Sequence, residues 1–73
     1  MLSNLKTEVG KKIKLESLDS SVVREIENKE RELNSKGKEK LPEAMSMLRG
    51  KLGSKLKNYE YQEIEHEVKL NLQ

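Results

Sequence analysis

Cysteine, tryptophan and phenylalanine are absent from this 73-residue chain, and proline and alanine occur once each. Without cysteine there is no disulfide to staple a small fold and no thiolate for nucleophilic or metal chemistry. The same absence fits a reducing compartment. Two tyrosines are the only large aromatic residues, so little bulky apolar surface is available for a core. No run approaches the roughly 18 apolar residues of a membrane span, and residues 1–20 lack the apolar stretch of a signal peptide. No membrane partner is expected, and the expected location is cytoplasmic.

The apolar set is built on leucine: eleven Leu, four Val, three Ile, three Met, two Tyr and one Ala, together 33% of the residues, against 38% charged. This length makes one domain, residues 1–73, near the size at which a single core barely offsets chain entropy. With neither disulfide nor metal to help, oligomerisation is the usual remedy, and a homodimer is expected.

A net charge of +2 conceals alternating blocks. Residues 1–14 and 36–57 are basic, whereas residues 15–34 and 58–73 are acidic. The strongest block carries Lys36, Lys38, Lys40, Arg49, Lys51, Lys55 and Lys57 against Glu39 and Glu43. Alternation of this kind allows charge matching within the chain or between two copies of it.

The hydrophobic period changes along the chain. Ile64, His66, Val68, Leu70 and Leu72 alternate with Glu63, Glu65, Glu67, Lys69 and Asn71, the pattern of a strand with one dry face and one charged face. Tyr59 and Tyr61 add β-favouring composition on the opposite parity, which a bulge at Gln62 or Glu63 would reconcile. Ile13 and Leu15 repeat the alternation briefly within residues 11–17. Tyr61, Ile64, Val68 and Leu72 also satisfy a helical period, so the C-terminal segment has two readings.

Between these stretches the signals are helical. Leu2, Leu5 and Val9 suit a short helix that Gly10 would end. Asp19, Ser20 and Ser21 offer N-cap oxygens for a helix over residues 20–34, with Val22, Ile26 and Leu33 on one face and Glu25–Lys29 and Glu27–Arg31 as pairs four apart. Gly37 suits a helix stop, and Pro42 and Glu43 suit the first turn of a second helix bearing Met45, Leu48, Leu52 and Leu56. Gly50 and Gly53 each require a reason inside it, either a helix end near Arg49 or close approach of another backbone. The expected fold is therefore α+β, a β-α-α-β domain with two helices on one face of a short sheet completed by dimerisation. An all-α helical bundle is the alternative.

No chemistry-bearing motif survives inspection. Gly50-Lys51-Leu52-Gly53-Ser54-Lys55 has the glycines and lysines of a phosphate loop but lacks the Gly-Lys-Ser/Thr ending that places a lysine and a magnesium ligand at a helix start. His66 sits among Glu63, Glu65 and Glu67, yet one histidine without cysteine supplies too few metal ligands, and on a strand those acids face away from it. Its remaining interest is a pH effect. The Glu and Lys residues read as solvated faces, and the chain is too short to enclose a large pocket. Neither catalysis nor a metal or other cofactor is expected.

Two binding classes remain. The first is a small interaction protein, an adaptor, inhibitor or assembly factor, working as a homodimer through a sheet edge or an apolar helix face made by Met45, Leu48, Ile64, Val68, Leu70 and Leu72. The second is nucleic-acid binding through Lys36, Lys38, Lys40, Arg49, Lys51, Lys55 and Lys57. Against the second stand the near balance of total charge and the lack of an aromatic residue within residues 36–57.

Overall fold

A computed structural model describes residues 4–72. It contains four helices, α1 (Leu5–Lys12), α2 (Ser20–Lys36), α3 (Leu41–Leu52) and α4 (Asn58–Asn71), with single 3₁₀ turns at Leu15–Ser17, Lys38–Lys40 and Gly53–Lys55. No strand occurs among the described residues, so the α+β expectation is overturned and the all-helical alternative holds.

The correction centres on residues 58–71. Their buried side chains are Tyr61, Ile64 and Val68, spaced three and four apart as one helical face requires, while His66 and Leu70 are exposed. The alternation that suggested a strand is the same apolar stripe seen at the wrong period. Glu, Lys, Gln and Leu favour the helix intrinsically, and its first turn is closed locally. The Lys57 N–H donates to Glu60 Oε1 at 2.8 Å, and the Glu60 N–H donates back to the Lys57 carbonyl at 2.9 Å.

The short strand expected over residues 11–17 is also absent. α1 runs through Gly10 to Lys12, and the chain then bends through the Leu15–Ser17 turn. At Gly10 an added Cβ would meet the Leu15 side chain at ordinary van der Waals distance, 3.6 Å from Cδ1. Leu2, assigned to this helix from the sequence, lies outside the described residues. The first N–H groups of a helix need outside acceptors, and α1 finds one on its neighbour: the Lys6 N–H donates to Glu30 Oε1 of α2 at 2.9 Å.

α2 begins where expected and ends two residues late. Gly37 stops it at φ +87°, its N–H donating to the Leu33 carbonyl at 2.9 Å. α3 carries Pro42 in its first turn, where the missing N–H costs nothing. It then passes through Gly50 and ends at Gly53, φ +52°. An added Cβ at Gly50 would meet nothing within 4 Å, so neither a helix end at Arg49 nor a close backbone contact accounts for that glycine.

Neighbouring helices are antiparallel, as specific cross-links show. Lys6 Nζ of α1 lies 2.5 Å from Glu27 Oε2 of α2. Lys51 Nζ, near the end of α3, lies 3.8 Å from Glu25 Oε2, near the start of α2. Lys12 at the end of α1 pairs with Glu63 of α4, and the Tyr61 hydroxyl of α4 donates to the Gly53 carbonyl at 2.6 Å. The up-down-up-down bundle that results has the α1–α2 and α3–α4 connections at one end and the α2–α3 connection at the other. The alternating charge blocks are thus matched inside the chain, each acidic block pairing with a lysine of a basic one.

The core draws on every helix. Leu5 and Val9 of α1, Ile26 and Leu33 of α2, five residues of α3, and Tyr61, Ile64 and Val68 of α4 are buried, with Leu56 sealing the corner between α3 and α4. Glu8 is the one buried charged residue among those described, 3% exposed. Its Oε2 accepts from Asn4 Nδ2 at 2.8 Å and from Lys11 Nζ at 3.0 Å, which meets the requirement that a buried carboxylate be hydrogen-bonded.

Candidate nucleic-acid interface

The bundle divides the basic block of residues 36–57 in two. Lys36, Lys38 and Lys40 surround the α2–α3 connection, whereas Arg49, Lys51, Lys55 and Lys57 surround the α3–α4 connection. Lys40 and Arg49, the nearest members of the two groups in sequence, stand nine residues apart along α3, about 14 Å at 1.5 Å per residue. One continuous stripe of seven cations does not exist.

Each group has one lysine paired with a nearby acid. At the α2–α3 end Lys40 Nζ lies 3.8 Å from Glu43 Oε1, and Glu39 sits in the same turn. At both ends two exposed lysines make no ion pair among the described residues, Lys36 and Lys38 at the first and, beside the Lys51–Glu25 pair, Lys55 and Lys57 at the second. The Gly53 turn holds Lys55 and Lys57 together: its positive φ reverses the chain just after Lys51, and α4 starts immediately after Lys57.

Arg49 is held at this corner by two contacts. Its Nη1 donates to Asn58 Oδ1 at 2.9 Å, and its guanidinium carbon sits 4.7 Å from the centre of the Tyr61 ring, within cation–π range. Its charge therefore stays at the surface on a fixed base. Burial pushes the Tyr61 hydroxyl above the ordinary phenol value, Arg49 opposing that shift and Glu60 adding to it.

The second tyrosine points the other way. Tyr59 is 57% exposed and lines an open groove of about 560 Å³ with Lys12, Gln62, Glu63, His66 and Glu67. Glu63 is engaged by Lys12, whose ammonium is raised above its ordinary value chiefly by that hydrogen bond. Tyr59 lies just beyond the basic block and supplies the aromatic that the block itself lacks. Its position was open to sequence reasoning: residues two apart on a helix lie on different faces, so a buried Tyr61 implies an outward Tyr59. The Arg49 contacts and the buried Glu8 left no comparable sequence signal.

The remaining candidates are placed as follows. Met45, Leu48, Ile64 and Val68 are in the monomer core, Leu72 is half-buried against it, and Leu70 is 46% exposed. The sheet edge offered for a partner does not exist among the described residues. Lys51 and Lys55 of the loop-like motif stand at a helix C-terminus, where carbonyls face outward, opposite to the N-terminal amides that bind phosphate. Among the described residues no group of three His, Cys, Asp or Glu is placed to hold a metal ion, and no helix is long and apolar enough to cross a membrane. A second groove, about 660 Å³ between α2 and α3, is lined by Glu25, Glu32 and Glu43 with Lys29 as its one cation and is unsuited to phosphate.

Compared with known proteins, the chain matches no family model, no curated protein and no solved structure.

Proposed function

We propose that this chain is a non-catalytic cytoplasmic protein that binds nucleic acid through the α3–α4 corner, with Lys55 and Lys57 as the main phosphate contacts, Arg49 as a fixed cation beside them and Lys51 in support. The observation that carries this reading is the fixing of Arg49 by Asn58 and Tyr61 at a corner where the exposed Lys55 and Lys57 make no ion pair among the described residues. The burial of Met45, Leu48, Ile64 and Val68 adds to it, because those apolar residues are spent on the chain's own core. Lysine and arginine neutralising backbone phosphates release condensed counterions, so binding of this kind weakens predictably with salt.

Fluorescence anisotropy of labelled oligonucleotides across a salt series tests it. With three or four phosphate contacts, log K against log salt should fall with a slope of about −2 to −3 on a single strand. Each Lys→Ala change at Lys55 or Lys57 should flatten that slope by roughly one contact's worth. No binding at low salt, or a flat salt dependence, overturns the proposal. A second reading, an adaptor or inhibitor that pairs with itself or another protein, draws on the exposure of Leu70 beside Leu72 at the end of α4; light scattering addresses the self-pairing form.

A further inference from the structure

Tyr59, Gln62 and His66 share one face of α4, at spacings of three and four residues, and all three are exposed. They line one groove, and the backbone positions of Tyr59 and His66 lie about 10.5 Å apart along the helix axis at 1.5 Å per residue. Each brings chemistry that bases recognise and duplexes hide. An exposed phenol ring offers a stacking face, an amide offers paired donor and acceptor to a base edge, and imidazole offers both. Glu67, on the same groove, is a carboxylate, a group suited to accept from an exocyclic amino group and not to contact phosphate. Lys57 stands two residues before Tyr59 and Lys55 four before it; neither lines the groove, whose charged groups are Glu63, engaged by Lys12, and Glu67.

We infer that the α4 groove takes the unstacked bases of a single-stranded nucleic acid, Tyr59 providing the stacking platform while Lys55 and Lys57 hold the adjoining phosphates. This rests on the nucleic-acid reading above and narrows it to single strands, DNA or RNA. A duplex keeps its bases stacked and inaccessible to Tyr59, and only the lysines would engage it. The acids of the groove reinforce the distinction, because they oppose a second phosphate backbone laid along α4.

Anisotropy with a short labelled single strand, DNA and RNA in separate arms, and with the matching duplex at the same low salt decides the matter. The single strand should bind more tightly than the duplex in at least one arm. Tyr59→Ala should weaken that binding about 5- to 150-fold, the range typical of one lost base–aromatic stack, whereas Tyr59→Phe should keep it. Tyr59 lies outside the core, so neither change removes a packing contact that folding requires. Duplex binding as tight as single-strand binding in both arms, or an unaltered affinity in Tyr59→Ala, overturns the inference and leaves the nucleic-acid reading standing. Absence of binding to every probe overturns both.

Discussion

The Tyr61 hydroxyl donates a 2.6 Å hydrogen bond to the Gly53 carbonyl, tying the first turn of α4 to the turn that ends α3. Tyr61→Phe keeps the ring and removes this bond, which should cost about 0.5–1.5 kcal/mol in urea unfolding. Because burial raises the folded-state pKa of this hydroxyl above its ordinary value of 10.0, the neutral form is the one the fold favours. That contribution is complete below about pH 10 and is lost as the pH rises through the higher folded-state value. The alkaline loss of stability should therefore be smaller in Tyr61→Phe than in the parent chain. Equal alkaline profiles would remove Tyr61 as its source.

Three glycines should respond to alanine in different directions. Gly37, at φ +87° and ψ −173°, and Gly53, at φ +52° and ψ −126°, occupy regions that side-chain-bearing residues rarely enter, so alanine at either should cost on the order of 1–3 kcal/mol. Gly50 lies inside α3 with open space around a would-be Cβ, and Gly50→Ala should stabilise the protein by up to about 1 kcal/mol. Thermal unfolding followed by circular dichroism separates the two classes. A destabilised Gly50→Ala would mean that this position does more than fill a helix turn.

These glycines also mark where sequence and structure agree. Gly37 was legible as a stop because polar residues follow it and Pro42 starts a new helix nearby. The apolar stripes of α2 and α3 were equally legible from Ile26, Leu33, Leu48 and Leu52, but their packing on each other was not, because the sequence pattern laid both helices on a sheet. The end of the chain was not, because Ile64, Val68 and Leu72 satisfy two periods at once. Only the tertiary position of His66 and Leu70, outside rather than inside, decides between them. Charge matching was readable at the level of blocks, but the partners were not. Lys6 with Glu27 and Lys51 with Glu25 are set by how helices cross, a quantity absent from local pattern. The same holds for the basic block, whose seven cations are contiguous in sequence and divided in space along α3.

The core and the outer face of α4 should behave differently on truncation. Leu48 is fully buried, so Leu48→Ala should cost about 2–5 kcal/mol through lost transfer energy and the cavity left behind. Leu70 is 46% exposed, and Leu70→Ser should change monomer stability by no more than about 0.5 kcal/mol. Chemical denaturation gives the first number. Light scattering gives the second its meaning, because a dimer joined through Leu70 and Leu72 would dissociate in Leu70→Ser and become less stable at low concentration.

Acid should loosen the α1–α2 contact. Lys6 holds the Glu27 carboxyl below the ordinary carboxylate value, mainly through their hydrogen bond, and Lys29 does the same for Glu32. A carboxylate with a depressed folded-state pKa contributes stability above its unfolded value, near 4.5, and loses it as the pH falls through the lower folded value. Both side chains are substantially exposed, so screening keeps each effect small. Unfolding midpoints at pH 7 and pH 3 should thus move closer together in Glu27→Gln, and added salt should diminish the difference. A gap as wide as in the parent chain would place the acid sensitivity elsewhere.

The two ends of the bundle provide a control for electrostatics in general. Lys55→Glu with Lys57→Glu and Lys36→Glu with Lys38→Glu change net charge equally, yet only the first pair alters the corner that carries Arg49 and adjoins Tyr59. If the corner is the phosphate surface, the first double change should abolish single-strand binding at low salt. The second should weaken it only through the smaller long-range field, which is screened beyond roughly 10 Å at 0.1 M salt, and α3 sets the nearest members of the two groups about 14 Å apart along its axis. Anisotropy at 0.1 M salt therefore distinguishes a local site from attraction to a basic protein as a whole, since equal losses in the two double variants would assign the binding to net charge and not to the α3–α4 corner.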